Sequence, residues 1–146
     1  MNEHEQSCKK RWLSHKNGRI NTLKKLWKAY CEGEDSAYYK KIDEEYGNIF
    51  EYGLCFDYVA PGTFTDQKEG YWRYQLSYGG PSDEFRFYAS GLNGGCYRIE
   101  YVFLDWYDES VRGLKGKDLE FLEEIWTWFR DSGIVENTYN TGMEGI

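Results

Sequence analysis

Carboxylates are the reactive groups this chain carries in quantity. Asp57, Glu100, Asp105 and Asp108 lie in stretches that also hold Tyr and Trp. Paired acids beside aromatic rings are what a glycosidase uses, one carboxyl protonating the leaving oxygen while the other attacks the sugar or activates water. The same alternation describes the solvent-facing side of a sheet, so a hydrolase on Asp57, Glu100 and Asp105 stands only as one reading among others. Nucleophilic catalysis is poorly served. The two histidines, His4 and His15, fall in the N-terminal segment, away from any strand-end Ser or Cys they would activate. Cys55 and Cys96 lie in or beside strands and read as packing residues. His4 and Cys8 are four apart and would share a helix face, but His15 and Cys31 complete no metal-ligand spacing. The glycine-rich stretches 91–95 and 113–117 lack the spacing of a P-loop or a dinucleotide fingerprint and read as turns. No catalytic residue, metal or cofactor is assigned.

Charge is the more informative pattern. Residues 1–31 hold Lys9, Lys10, Arg11, Lys16, Arg19, Lys24, Lys25 and Lys28 against Glu3 and Glu5, a local charge of +6 in a chain whose net charge is −7. The rest is therefore strongly acidic, and the sequence reads as an acidic body with a basic arm. On the body, Asp43, Glu44, Glu45, Asp105, Asp108, Glu109, Glu120 and Glu124 are candidates for an acidic binding surface, with Glu120 and Glu124 sharing a helix face at a spacing of four. On the arm, Lys9, Lys10, Arg11, Arg19, Lys24, Lys25 and Lys28 are candidates for phosphate contacts. Dense acids also suit mimicry of duplex phosphates, against the ordinary role of keeping a protein soluble.

These side chains need a scaffold. With 146 residues, 40% hydrophobic and 19% aromatic, and two prolines, the chain has material for one core and none of the marks of disorder. The expected class is α+β. Residues 1–33 read as a basic helix whose apolar stripe is Leu13, Ile20, Leu23, Trp27 and Tyr30, with Asn17-Gly18 as a point where it could divide. Residues 34–47 read as a second helix, capped by Asp35 or Ser36 and stopped at Gly47, so that an αα-hairpin opens the chain. Residues 48–107 then switch to period two and predict a four-stranded antiparallel meander: a first strand from Ile49 through Tyr58, a second around Trp72 to Tyr78, a third over 84–90 and a fourth over 97–106. Residues 117–132 predict an amphipathic helix on the sheet. The single domain is expected to span 1–135, with 136–146 an aperiodic, flexible tail. The Leu13–Tyr30 stripe fits either the chain's own sheet or a second copy, so a homodimer is left open.

The stretch GYWRYQLSYGGPSDEFRF at 70–87, with FDYVAPGTF at 56–64 before it, resembles small acidic proteins carried on plasmids and conjugative elements. The resemblance covers about the middle third of the chain. It implies an accessory role in a mobile element, where inhibitors of restriction or CRISPR systems are common, and it transfers no functional residue. Trp72, Tyr74, Leu76-Ser77 and Gly79-Gly80 are also similar to the pattern of one antirestriction family, the tryptophan spacing departing by one residue. Read physically, Trp72, Tyr74, Leu76 and Tyr78 share one face of this hairpin, while Arg73 and Arg86 project on the other towards Asp57 or Glu100. Trp72, Arg73, Tyr74, Arg86 and Tyr88 are its candidate binding residues.

The expectation is a non-enzymatic interaction protein, an anti-defence or other accessory factor that binds a basic host protein or nucleoprotein complex through acidic and aromatic surface. Nucleic-acid binding through the N-terminal helix is the first alternative, separable by deleting residues 1–31, and the hydrolase is the second. The charged start MNEHEQSCKKRW and the lack of a long apolar run lead us to expect a cytoplasmic protein with no membrane segment and with reduced thiols.

Overall fold

The computed structural model describes residues 3–79, 81–105 and 108–144, the side chains of His4, Glu5, Gln6 and Cys8 apart. The His4–Cys8 face, the Gly80 position of the hairpin turn and the Trp106 end of the fourth strand lie outside the described residues. Helix α1, Glu3–Glu32, is unbroken. Gly18 does not divide it: open space surrounds the place of a Cβ, and the cost is a propensity loss of about 1 kcal/mol. The buried side of α1 runs through Trp12, Lys16, Ile20, Leu23, Leu26 and Ala29. The expected stripe thus holds at Ile20 and Leu23 and fails at its ends, where Leu13 is 47% and Tyr30 40% exposed. Trp12 is the cause at the first end, because its indole N–H donates to the Tyr101 carbonyl at 2.7 Å and the larger ring takes the place against the sheet.

Helix α2, Ala37–Tyr46, starts where Ser36 Oγ accepts from the Tyr39 N–H at 2.9 Å and stops at Gly47, whose φ of 81° favours glycine. It packs back on α1. The first strand does not begin at Ile49. Asn48 Oδ1 accepts from the N–H groups of Phe50 and Glu51 at 2.9 and 3.2 Å, and this cap sets a single turn, α3, over Ile49–Tyr52. Strand β1 is Cys55–Val59, followed by β2 Tyr71–Ser77, β3 Ser82–Ala89, β4 Cys96–Asp105 and β5 Asp108–Gly113. All neighbours are antiparallel in the order β1-β2-β3-β4-β5. The meander therefore has five strands where four were expected. Asp-Glu-Ser-Val-Arg-Gly carries one large apolar residue, so this edge strand shows no alternation.

One face of the sheet carries Phe56, Tyr58, Trp72, Tyr74, Phe85, Phe87, Ile99 and Tyr101 and lies under the helices. Helix α4, Gly116–Asp131, buries Phe121, Leu122, Ile125, Trp126 and Phe129 there. Trp126 sits edge-on to Trp72 and stacks on Phe87, while Phe129 meets Phe56 and Tyr74. Residues 134–144 form helix α5, Ile134–Glu144, where an aperiodic tail was expected. It docks through few side chains: Val135 is fully buried and its carbonyl accepts from Trp72 Nε1 at 3.1 Å, and Tyr139 packs on Tyr58 and Trp72. Two anchors in eleven residues make no readable stripe. Among the described residues no helix is long and apolar enough to cross a membrane.

Candidate interaction surfaces

Three of the eight cations of α1 are paired with acids of the body, and the five lysines Lys9, Lys10, Lys24, Lys25 and Lys28 are exposed. Arg11 pairs with Asp105, Lys16 with Asp118 at 2.6 Å, and Arg19 with both carboxylate oxygens of Asp83 at 2.6 and 3.0 Å. Burial alone would lower the Arg19 pKa, but the bonds to Asp83 and Tyr52 outweigh it and the guanidinium is held more firmly charged than usual. Lys24, Lys25 and Lys28 lie over the rings of Phe121, Tyr46 and Tyr38 at 5.6, 5.2 and 4.4 Å. Lys9 and Lys10 are exposed. The basic arm is thus a core helix, and removing residues 1–31 would take Ile20, Leu23 and Leu26 from the interior. That deletion cannot separate a nucleic-acid reading from a protein-binding one.

The expected acidic residues divide into two groups. Asp43, Glu44 and Glu45 on α2, Glu109 on β5 and Glu120 and Glu124 on α4 are exposed. Asp105 is engaged by Arg11, and Asp108 stands opposite it across the β4–β5 pair.

The hairpin residues divide by strand parity. Trp72 and Tyr74 are 2% and 5% exposed, so they are core residues and not binding surface, because their pleat face is the one under α4. Arg73, Arg86 and Tyr88 occupy the opposite face. There the row Asp57, Arg73, Arg86, Glu100 crosses four strands in register. Arg73 and Arg86 are directly opposed like charges, and each is held by an acid: Arg73 by Asp57 at 2.7 Å and Arg86 by the buried Glu84 at 2.8 Å. Arg98 stacks over Tyr88 at 4.0 Å, and burial followed by a bond to Glu100 pushes the Tyr88 pKa up to about 12. A groove of about 540 Å³ runs between this face and the Phe64 loop.

This row also measures the hydrolase reading. Asp57 and Glu100 stand three strands apart, about 14 Å at ~4.8 Å per strand, beyond the roughly 5–9.5 Å that glycosidase pairs use. Asp105 belongs to the other face. No group of three His, Cys, Asp or Glu side chains among the described residues is placed to hold a metal ion.

A second groove, absent from the sequence reading, opens beside the edge strand β1. It measures about 410 Å³ and is lined by Tyr30 of α1, Phe50 of α3, Leu54, Phe56 and Tyr74, and by Trp128 and Phe129 of α4. The rings of Tyr30, Phe50 and Trp128 meet pairwise at 5.4 to 5.6 Å, and Trp27 adjoins both Tyr30 and Trp128. Phe50 is 70% and Leu54 61% exposed, unusual for side chains of this size gathered in one place. Residues 30, 50, 54 and 128 share no local period, and no signal in the sequence brings them together. Comparison with family models, curated proteins and solved structures finds no match to this chain.

Proposed function

We propose that the protein is a non-catalytic binding module that engages a basic protein through its exposed acids. The observation that supports this reading is the fate of the α1 cations. Arg11, Lys16 and Arg19 are neutralised by Asp105, Asp118 and Asp83, and three lysines lie over aromatic rings, while the carboxylates of α2 and the outer side of α4 face solvent. Pairing withdraws three cations and three acids alike, so the exposed acids of α2 and α4 carry the excess that the net charge of −7 records. The same arrangement withdraws Arg11 and Arg19 from phosphate contacts, while Lys9, Lys10, Lys24, Lys25 and Lys28 stay exposed. A partner that is itself a nucleic-acid-binding protein has the complementary charge, and occupying its basic surface would inhibit it, as suits an anti-defence accessory factor of a mobile element.

The test is affinity capture from host lysate at low and raised salt, with and without nuclease. A nuclease-resistant protein partner released by salt is the expected result. Capture that vanishes with nuclease would replace this reading with nucleic-acid binding.

A further inference from the structure

We infer that the aromatic groove between the end of α1, α3 and the end of α4 receives a partner segment in which a large apolar side chain is flanked by Lys or Arg. This rests on the reading of the protein as a binder of basic partners and gives that binding a place.

The floor of the groove is apolar. Phe50 and Leu54 stand exposed over a lining of Tyr30, Phe56, Trp128 and Phe129, and its volume of about 410 Å³ falls in the range that buries a compact ligand group. The rim is acidic. Glu124 accepts from Trp27 Nε1 at 3.1 Å beside Trp128, Glu51 follows Phe50 on α3 and is exposed, and Asp43 borders the adjoining recess with Tyr30 and Phe50.

Helix ends add to this sign. The carbonyl ends of α1 and α4 supply Tyr30, Trp128, Phe129 and Ser132 to the lining, and such ends carry partial negative charge. Neither α1 nor α2 has a basic residue in its last turn. The one in α4, Arg130, turns to the Asn93 carbonyl at 3.2 Å and to Asp131. Lys28 lies over Tyr38 and Lys25 over Tyr46, so neither is directed at the groove's rings. An apolar anchor satisfies the floor, and flanking cations satisfy both the acids and the ring faces. A second copy is the poorer occupant, because a twofold contact sets the same acidic rim against itself.

The probe is a displayed library of random twelve-residue peptides selected against the full chain, the enriched peptides then being titrated singly. The expected peptides combine one large apolar residue with two or more Lys or Arg. Phe50→Ala or Leu54→Ala should weaken them by about tenfold or more, as removal of a central anchor does. Asp43→Asn with Glu124→Gln should weaken them severalfold and flatten the salt dependence. Tyr78→Ala, on the turn bordering the other groove, should change nothing. Phe50 and Leu54 are exposed, so thermal midpoints of their variants should match the parent and confirm intact folding.

Basic peptides indifferent to Phe50 and Leu54 would overturn the assignment of the groove and leave the acidic reading standing. Enriched peptides without basic residues, or no enrichment over background, would overturn both. A concentration-dependent dimer dissolved by Phe50→Ala would assign the groove to a second copy instead.

Discussion

Arg19 Nε and Nη2 grip the two oxygens of Asp83, joining the middle of α1 to the start of β3 across 64 residues of sequence. Asp83 is 3% exposed and also accepts from the hydroxyls of Ser77 and Tyr101. Burial first, and that bond second, raise the pKa of the Tyr101 hydroxyl and keep it a donor. Removing the guanidinium leaves a buried carboxylate with neutral donors alone. Arg19→Ala should therefore cost about 2–3 kcal/mol, and Arg19→Met combined with Asp83→Leu should recover only part of it, because the buried Tyr101 hydroxyl then loses its acceptor. Urea unfolding measures both, and a single-variant loss under about 1 kcal/mol would show that the pair does not tie α1 to the sheet.

Gly142 decides whether α5 is docked. A Cβ there would lie 2.8 Å from the Tyr58 carbonyl oxygen, which as part of β1 has little freedom to retreat. In an undocked helix Gly→Ala stabilises by about 1 kcal/mol; against β1 it should destabilise by about 1–3 kcal/mol and speed amide exchange in residues 134–144. The sign of the change is the readout.

The thiols should react in order of exposure. Burial, with Glu123 second, pushes the Cys96 pKa up to about 12, which leaves only about one thiolate in ten thousand at pH 8. Cys31 and Cys55 are exposed, and their thiols are raised mainly by partial burial. Iodoacetamide followed by peptide mass spectrometry should find Cys31 and Cys55 modified well before Cys96. Equal rates would mean that the β3–β4 turn opens freely.

Glu69 ties the long β1–β2 loop to β4, accepting from Tyr97 and Arg98 at 2.7 Å each. Those two bonds hold its pKa below the usual carboxylate value. A carboxylate lowered by folding contributes above its unfolded pKa of about 4.3 and loses that contribution as pH falls through the lower folded value. Glu69→Gln should therefore be less stable than the parent near neutrality, and the two should converge in strong acid. A difference constant across pH would assign the effect to packing instead.

What could be read in advance follows from how each element is stabilised. Helix α4 and strands β2 to β4 bury one regular face, so Leu122, Ile125 and Phe129, or Trp72, Tyr74 and Leu76, announce themselves by period. Elements α3, β5 and α5 depend on a cap at Asn48, on an edge pairing with β4 and on the anchors Val135 and Tyr139, none of which repeats along the chain. The charge asymmetry was visible, but its target was not, since nothing local to Arg19 points to Asp83. The aromatic groove was harder still, because residues 30 and 128 become neighbours only when α1 and α4 lie side by side.

The ion pairs of α1 also bear on how the chain is made. Lys16 reaches Asp118 across 102 residues and Arg11 reaches Asp105 across 94, so these cations are synthesised well before the acids that pair with them. Translation at about 5–20 residues per second leaves them uncovered for several seconds, while the meander, whose strands pair only with sequence neighbours, can assemble as it emerges. Until Asp105 and Asp118 emerge, Arg11 and Lys16 lack these partners, and a truncated product ending before residue 118 would leave Lys16 without its acid.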